Sequence, residues 1–202
     1  MNLTRLGFLV SGRGSNMQVI INACIAGDLK AEPVVVITNN PDAGALTIAK
    51  NRKIPTYHLS SKTHPDPGKL DKAITKTMHD HQVDLVVLAG YMKQVGPVLL
   101  RDYKNRVINI HPSLLPRYGG KGMYGMNVHK AVIEAGEKET GATVHLVNDQ
   151  YDEGLILGQR KIDVATTETA ESLAKRVLEV EHALYTEILQ NIVSGKIVLP
   201  QS

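Results

Sequence analysis

The chain has a single cysteine, Cys24, among 202 residues, which excludes an intrachain disulfide. Cys24 lies in an apolar run with helical spacing, so its surroundings favour a small buried residue over a nucleophile. No apolar run reaches the length of a membrane span and the N-terminus lacks a signal-peptide pattern, so we expect a cytoplasmic protein without a membrane partner. The net charge is only +3, which suits small anionic ligands and argues against nucleic-acid partners.

The composition is that of an ordinary folded protein, with 43% apolar and 21% charged residues. The chain has no internal repeat, low-complexity segment or linker-like stretch. A length of 202 residues is enough to bury a sizeable core. We therefore predict one domain over residues 1–202.

Apolar runs of strand length alternate with segments of helical apolar spacing as far as residue 110. This order predicts an α/β fold with a doubly wound, mostly parallel sheet. After Pro112 two strands follow each other and then a long helix begins at Thr167 or Thr169, which predicts an antiparallel C-terminal edge and a long C-terminal helix. The predicted strands cover residues 5–10, 33–39, 54–59, 84–89, 107–110, 142–147 and 155–164, and the predicted helices cover 17–26, 40–51, 69–81, 97–103, 128–135 and 167–192.

Polar side chains with proton chemistry lie where two of these strands end. Asn109 and His111 interrupt and close the apolar strand at 107–110, and Asp149 and Asp152 lie in the loop after the strand at 142–147. Ligands of α/β proteins bind at strand ends, so we expect these side chains to face one cleft. An amide, an imidazole and a carboxylate together can move a proton.

The glycine-rich turn at residues 11–16 (SGRGSN) joins the first strand to the first helix. Free N–H groups at a helix start favour an anion, and Ser15 or Asn16 has the right side chain to cap the helix. The turn lacks the Gly-Lys-Ser/Thr of a Walker loop, and Met17 stands where a dinucleotide fingerprint requires a third glycine. The local pattern leaves a phosphate site and a plain turn equally open.

Four segments together carry a resemblance to a known family: residues 11–16, 88–92 (LAGYM), 109–116 (NIHPSLLP) and 152–154 (DEG). The chain resembles the folate-dependent formyltransferases over nearly its whole length. The resemblance implies a Rossmann-like fold and transfer of the formyl group of 10-formyltetrahydrofolate to the primary amine of phosphoribosylglycinamide. It implies no metal and no covalent formyl-enzyme.

The resemblance assigns catalytic roles to Asn109, His111 and Asp152. Asn109 and His111 would stabilise the negative oxygen of a tetrahedral intermediate, and Asp152 would favour the protonated imidazole and position a proton-relaying water. Asp149 is the rival of Asp152, and the following Glu-Gly favours Asp152. His145 is expected to support the site from behind.

The resemblance also implies two substrate sites. Glu181 should contact the ribose, with a solvated helix face as the alternative explanation. Leu178 stands where the family often has a polar residue. The loop at 119–126 is longer than the common family form. The implied ribonucleotide-binding residues are Arg13, Gly14, Ser15, Asn16 and Glu181, and the implied folate-binding residues are Met92, Lys93, Gln94, Val95 and Asn109.

Other interpretations remain open on the sequence. One is a related formyl-folate enzyme, either a deformylase or another amine formyltransferase. Others are a doubly wound nucleotide-binding module, a catalytically silent binding module and a metal site built from His111, His145 and Asp152. Both a monomer and a homodimer fit the sequence.

Overall fold

The computed structural model describes residues 3–201, so residues 1, 2 and 202 of the predicted domain lie outside the described residues. Within that range the chain forms seven strands and six helices. The strands are β1 (Thr4–Val10), β2 (Ala31–Thr38), β3 (Thr56–His58), β4 (Leu85–Leu88), β5 (Val107–His111), β6 (Glu139–Leu146) and β7 (Ile156–Asp163). The helices are α1 (Ser15–Ala26), α2 (Gly44–Asn51), α3 (Pro67–Asp80), α4 (Pro97–Asp102), α5 (Met126–Glu134) and α6 (Ala170–Val193).

All seven strands form one sheet in the order β3-β2-β1-β4-β5-β6-β7. The first five strands in this order pair in parallel, whereas β6 pairs antiparallel with both β5 and β7. The chain leaves β1 toward β2 and later returns to β4 on the other side of β1, and ligands of such sheets bind where the order reverses. The predicted fold class, with its antiparallel edge and long last helix, is confirmed.

Different helices cover the two faces of the sheet. On one face α1, α2 and α6 pack on Leu6, Phe8 and Val10 of β1, and on the other face α3 and α4 pack around Leu9. Successive side chains of a strand point to opposite faces, so burial on both faces explains why β1 is a continuous apolar run. Helix α5 packs on α6 through Val132.

The second helix begins four residues later than predicted, at Gly44. The Asn40 side-chain oxygen accepts a hydrogen bond from the Asp42 N–H at 3.1 Å, and the Asn40 carbonyl accepts one from the Ala43 N–H at 3.2 Å. An asparagine that bonds the backbone two residues further on stabilises a turn instead of a helix. Residues 40–43 therefore form a turn before α2.

The start of α1 also differs from the prediction. Gly14 is the N-cap residue, with φ 80°, and no side chain caps this helix. Ser15 and Asn16 both lie inside the helix, so the prediction that one of them caps it is wrong. The conformation at Gly14 is one that residues with a Cβ rarely adopt, which explains the glycine.

The last helix begins with a capping box, and its N-cap is Thr169, one of the two predicted starts. Thr169 Oγ1 accepts from the Ser172 N–H and Ser172 Oγ accepts from the Thr169 N–H, at 3.2 and 3.1 Å. Further along α6, the hydroxyl of fully buried Tyr185 lies 3.0 Å from the carbonyl oxygens of Leu88 and Ile108. This contact fixes α6 beneath β4 and β5. Of the helices within residues 3–201, none combines the length and apolarity of a membrane span.

Candidate active site

A cavity of about 520 Å³ lies at the carboxyl ends of β4 and β5, beside the start of α1. Most of the residues that the sequence analysis singled out line it together. They are Arg13, Asn16, Met92, Lys93, Gln94, Val95, Asn109, His111, Asp149, Asp152, Leu178 and Glu181, whereas Gly14 and Ser15 are not among the lining residues. Side chains far apart in the sequence therefore meet in one space.

Asn109 is held by His145, its partner across the β5–β6 pair. His145 is buried, and its Nδ1 lies 2.9 Å from the Leu146 carbonyl oxygen, which can only accept, so Nδ1 carries the proton. Burial lowers the pKa of His145, which keeps the ring neutral and leaves a lone pair on Nε2. The Asn109 amide donates to that Nε2 at 3.2 Å and has a second N–H for a ligand in the cavity. His145 thus supports the site from behind, as expected.

His111 closes β5 and is only 4% exposed. Its Nε2 lies 2.7 Å from the Tyr118 carbonyl oxygen, and its Nδ1 lies 3.5 Å from Asp152 Oδ2. Asp152 Oδ2 also accepts a hydrogen bond from the Gly120 N–H at 2.9 Å. The imidazole and the carboxylate are therefore positioned side by side by two backbone groups of one loop.

The structure separates the two candidate acids. Asp152 lies near both imidazoles, with Oδ1 3.6 Å from His145 Nε2 in addition to the contact with His111. The contact with His145 is not an ion pair, because the lowered pKa keeps that ring neutral. Asp149 also lines the cavity but is exposed. Of the two, Asp152 is the residue placed to act with His111.

Glu181 is a buried carboxyl on α6 that lies at the Arg13 end of the cavity. Asn16 Nδ2 donates to Glu181 Oε2 at 2.7 Å, while the buried Asn16 Oδ1 has no partner among the described residues. Burial raises the pKa of Glu181 to about 7, and the bond from Asn16 opposes that rise. A solvated helix face is therefore the wrong explanation of Glu181, and Leu178 brings an apolar side chain beside it.

The segment from Met92 to Val95 forms another wall of the cavity. Its first N–H, that of Met92, donates to Ser11 Oγ at 2.8 Å, while the Met92 side chain is 49% exposed. After the segment, the buried Asp71 carboxylate accepts from the Val98 N–H at 2.7 Å and so caps α4. The backbone of this wall is thus fixed at both ends. Residues 3–201 contain no cluster of three or more His, Cys, Asp or Glu side chains that could hold a metal ion.

The family model described as formyl transferase matches residues 4–189. The chain belongs to the formyl transferase family. The match includes the end of β5, with Asn109 and His111, and the loop after β6, with Asp152. It extends through most of α6.

Relatives within the formyl transferase family match almost the whole chain. The chloroplastic phosphoribosylglycinamide formyltransferase of Arabidopsis thaliana is 40% identical over 96% of the chain. The chain spans 66% of the length of that protein, which is just under two thirds. The phosphoribosylglycinamide formyltransferase of Haemophilus influenzae is 36% identical over 98% of the chain and 91% of its own length. The crystal structure of glycinamide ribonucleotide transformylase 1 from Symbiobacterium toebii has a TM-score of 0.91 and 35% identity, covering 98% of this chain and 91% of that one.

Sequence reasoning missed three residues of the cavity wall and its supporting loop. His129 of α5 is buried against the cavity, its Nδ1 has no partner among the described residues, and burial and the nearby His111 lower its pKa. Tyr118 and Gly120 act through backbone groups. For His129 the available signal was a histidine at a core position of a helix. For Tyr118 and Gly120 there was no signal, because a backbone hydrogen bond does not depend on the type of side chain.

Proposed function

We propose that this chain transfers the formyl group of 10-formyltetrahydrofolate to the primary amine of 5′-phosphoribosylglycinamide, a step of purine biosynthesis. The observation that carries the proposal is the meeting of Asn109, His111 and Asp152 in one cavity of a formyl transferase fold. The single domain predicted over residues 1–202 would carry the whole reaction. The cytoplasmic location expected from the sequence stays a prediction.

The chemistry requires a donor for a developing oxyanion. When the amine attacks the formyl carbon, the formyl oxygen becomes negative in a tetrahedral intermediate, and preorganised N–H donors stabilise that charge. Asn109 fits this role, because His145 fixes its amide and one N–H remains for the cavity. His111 fits as the second donor when its ring is protonated.

The chemistry also requires a proton to move from the attacking amine to the leaving nitrogen of tetrahydrofolate. His111 Nδ1 and Asp152 Oδ2 lie 3.5 Å apart, so an imidazole nitrogen and a carboxylate oxygen stand side by side in the cavity. We assign the proton transfer to this pair, with a water positioned by Asp152. The transfer would be direct, since half-buried Cys24, whose pKa burial raises to about 11, is a poor nucleophile.

The two ends of the cavity fit the two substrates. The ribonucleotide phosphate would bind the free N–H groups at the start of α1, with Arg13, Gly14, Ser15 and Asn16, because a helix N-terminus favours an anion. The ribose hydroxyls would donate to the Glu181 carboxylate. The formyl-folate would lie along Met92, Lys93, Gln94 and Val95, whose fixed backbone presents polar groups beside the apolar side chains Leu88, Ile110 and Val147.

An assay with both substrates tests this function. The protein is mixed with phosphoribosylglycinamide and 10-formyltetrahydrofolate, and tetrahydrofolate and the formylated amine are quantified separately. We expect equal amounts of both products, and no product when formate with ATP replaces the donor. Release of tetrahydrofolate at the same rate without the amine would identify a deformylase instead, and no turnover of the donor would leave only a binding module.

A further inference from the structure

The protonation of the catalytic imidazole is set by a backbone carbonyl. His111 Nε2 lies 2.7 Å from the Tyr118 oxygen, and a carbonyl oxygen only accepts hydrogen bonds, so Nε2 carries a proton. The nitrogen left to take up or give a proton is Nδ1, which faces Asp152 Oδ2 at 3.5 Å. Which nitrogen of a histidine reacts depends on the partner of the other one.

The Tyr118 carbonyl is directed at His111 by an unusual backbone. Tyr118 has φ 56°, in the left-handed region, which is strained for a residue with a side chain. Such a conformation persists only when contacts around it outweigh the cost. The side chain of Tyr118 must therefore be held from elsewhere.

Glu137, in the turn between α5 and β6, provides that hold. The Tyr118 hydroxyl donates to Glu137 Oε1 at 2.7 Å, and the Arg117 guanidinium contacts the same oxygen. That guanidinium also lies 5.7 Å from the centre of the Tyr118 ring, and the ring packs beside Val132. One carboxylate, only partly exposed, thus anchors two consecutive residues of the loop.

The same loop reaches the other member of the catalytic pair. Two residues after Tyr118, the Gly120 N–H donates to Asp152 Oδ2 at 2.9 Å. The backbone of this loop therefore accepts a hydrogen bond from His111 and donates one to Asp152. A movement of Tyr118 alters both hydrogen bonds. We propose that Tyr118 and Glu137 are positioning residues that hold His111 with its proton on Nε2 and so make Nδ1 the atom that exchanges protons. The proposal rests on the proposed function for its kinetic consequences only.

The test removes the hydrogen bond between Tyr118 and Glu137 and keeps the aromatic ring of Tyr118. Tyr118→Phe keeps the packing of the side chain but loses the bond to Glu137, and Glu137→Ala removes the same bond from the other side. We expect each to lower kcat about tenfold, with both KM values within twofold of wild type, as when the partner that orients a functional histidine is lost. Glu137→Gln still has an oxygen that accepts a hydrogen bond from the Tyr118 hydroxyl, so it should keep most of the wild-type kcat.

A matched control is Tyr57→Phe. Tyr57 lies on β3 at the far edge of the sheet, and its hydroxyl bonds His81 at 2.9 Å. This variant loses a tyrosine hydroxyl bond without touching the loop. Its kcat should equal that of wild type.

The decisive readout is the tautomer of His111, observed by ¹⁵N NMR of the imidazole at a pH where the ring is neutral. We expect the proton on Nε2 in wild type and Tyr57→Phe, and a mixture of tautomers in Tyr118→Phe and Glu137→Ala. A wild-type ring with its proton on Nδ1 overturns the proposal even if no variant folds. Variants that are destabilised but keep wild-type kcat and tautomer also overturn it, because Tyr118 and Glu137 then serve only the fold. The tautomer measurement holds whether or not the protein proves to transfer formyl groups.

Discussion

Replacing Glu181 with glutamine should change how the stability of the protein depends on pH. The carboxyl is buried, Asn16 Nδ2 donates to it at 2.7 Å, and burial raises its pKa from 4.5 to about 7. A carboxyl whose pKa is higher in the folded state binds its proton more tightly there. Its contribution to the free energy of unfolding is therefore greatest at low pH and declines as pH rises from about 4.5 through about 7.

The magnitude follows from that difference in pKa. At about 1.4 kcal/mol for each pH unit, the step from 4.5 to about 7 corresponds to about 3–4 kcal/mol. Glutamine keeps an oxygen that accepts from Asn16 and carries no charge. Wild type should therefore lose up to about 3 kcal/mol relative to Glu181→Gln between about pH 5 and pH 8.

The assay is urea unfolding of both proteins at a series of pH values, which gives the free energy of unfolding at each. The other titrating groups are common to the two proteins, so the difference between the two curves isolates Glu181. A difference that stays constant between about pH 5 and pH 8 would refute the reasoning. At about pH 8, where the carboxylate is ionised, the substitution should also raise the ribonucleotide KM roughly tenfold or more, since a hydrogen bond to a charged group contributes about 1.5–3 kcal/mol.

Three further predictions concern the substrate sites and the acid. Gly14→Val should raise the ribonucleotide KM more than the folate KM, because a Cβ at Gly14 would lie 2.7 Å from Ala45 Cβ and φ there is +80°. Equal effects on both KM values would contradict the assignment of this turn to the ribonucleotide. Asp152→Asn should lower kcat by about 10²–10⁴ with smaller changes in either KM, the usual range for a proton-transfer group, whereas Asp149→Asn should leave kcat near wild type. The reverse result in steady-state kinetics would move the acid to Asp149. Met92→Ala should change the folate KM less than twofold, because the side chain is 49% exposed and the wall is fixed through its backbone; a large rise in that KM would show a side-chain contact.

The sheet and the polar end of β5 could be predicted because their signals are local. The central strands are continuous apolar runs, since both faces of the sheet are buried. Asn109 and His111 are two residues apart, a spacing that places side chains on the same side of a strand. The spacing of Asn109 and His111 is therefore enough to predict that their side chains face one cleft.

The contacts that fix the site could not be predicted in the same way. The groups that hold His111 and Asp152 are the Tyr118 carbonyl and the Gly120 N–H, and every residue except proline has both kinds of group. The bond between Asn16 and Glu181 joins residues 165 positions apart. The cap predicted at Ser15 or Asn16 was wrong because the chain turns into α1 one residue earlier, at Gly14. Long-range partners and backbone geometry come from the fold.

The central claim is that Asn109 and His111 stabilise direct transfer of the formyl group to the amine. The most direct measurement is single-turnover transfer of a ¹³C-labelled formyl group from 10-formyltetrahydrofolate to phosphoribosylglycinamide, in wild type, Asn109→Ala and His111→Ala at saturating substrates. Loss of one preorganised oxyanion donor costs about 3–4 kcal/mol, so each variant should transfer the label about 10²–10³ times more slowly while its circular dichroism stays that of wild type. Near-wild-type transfer in either variant, or label found on the protein during the turnover, would contradict the account.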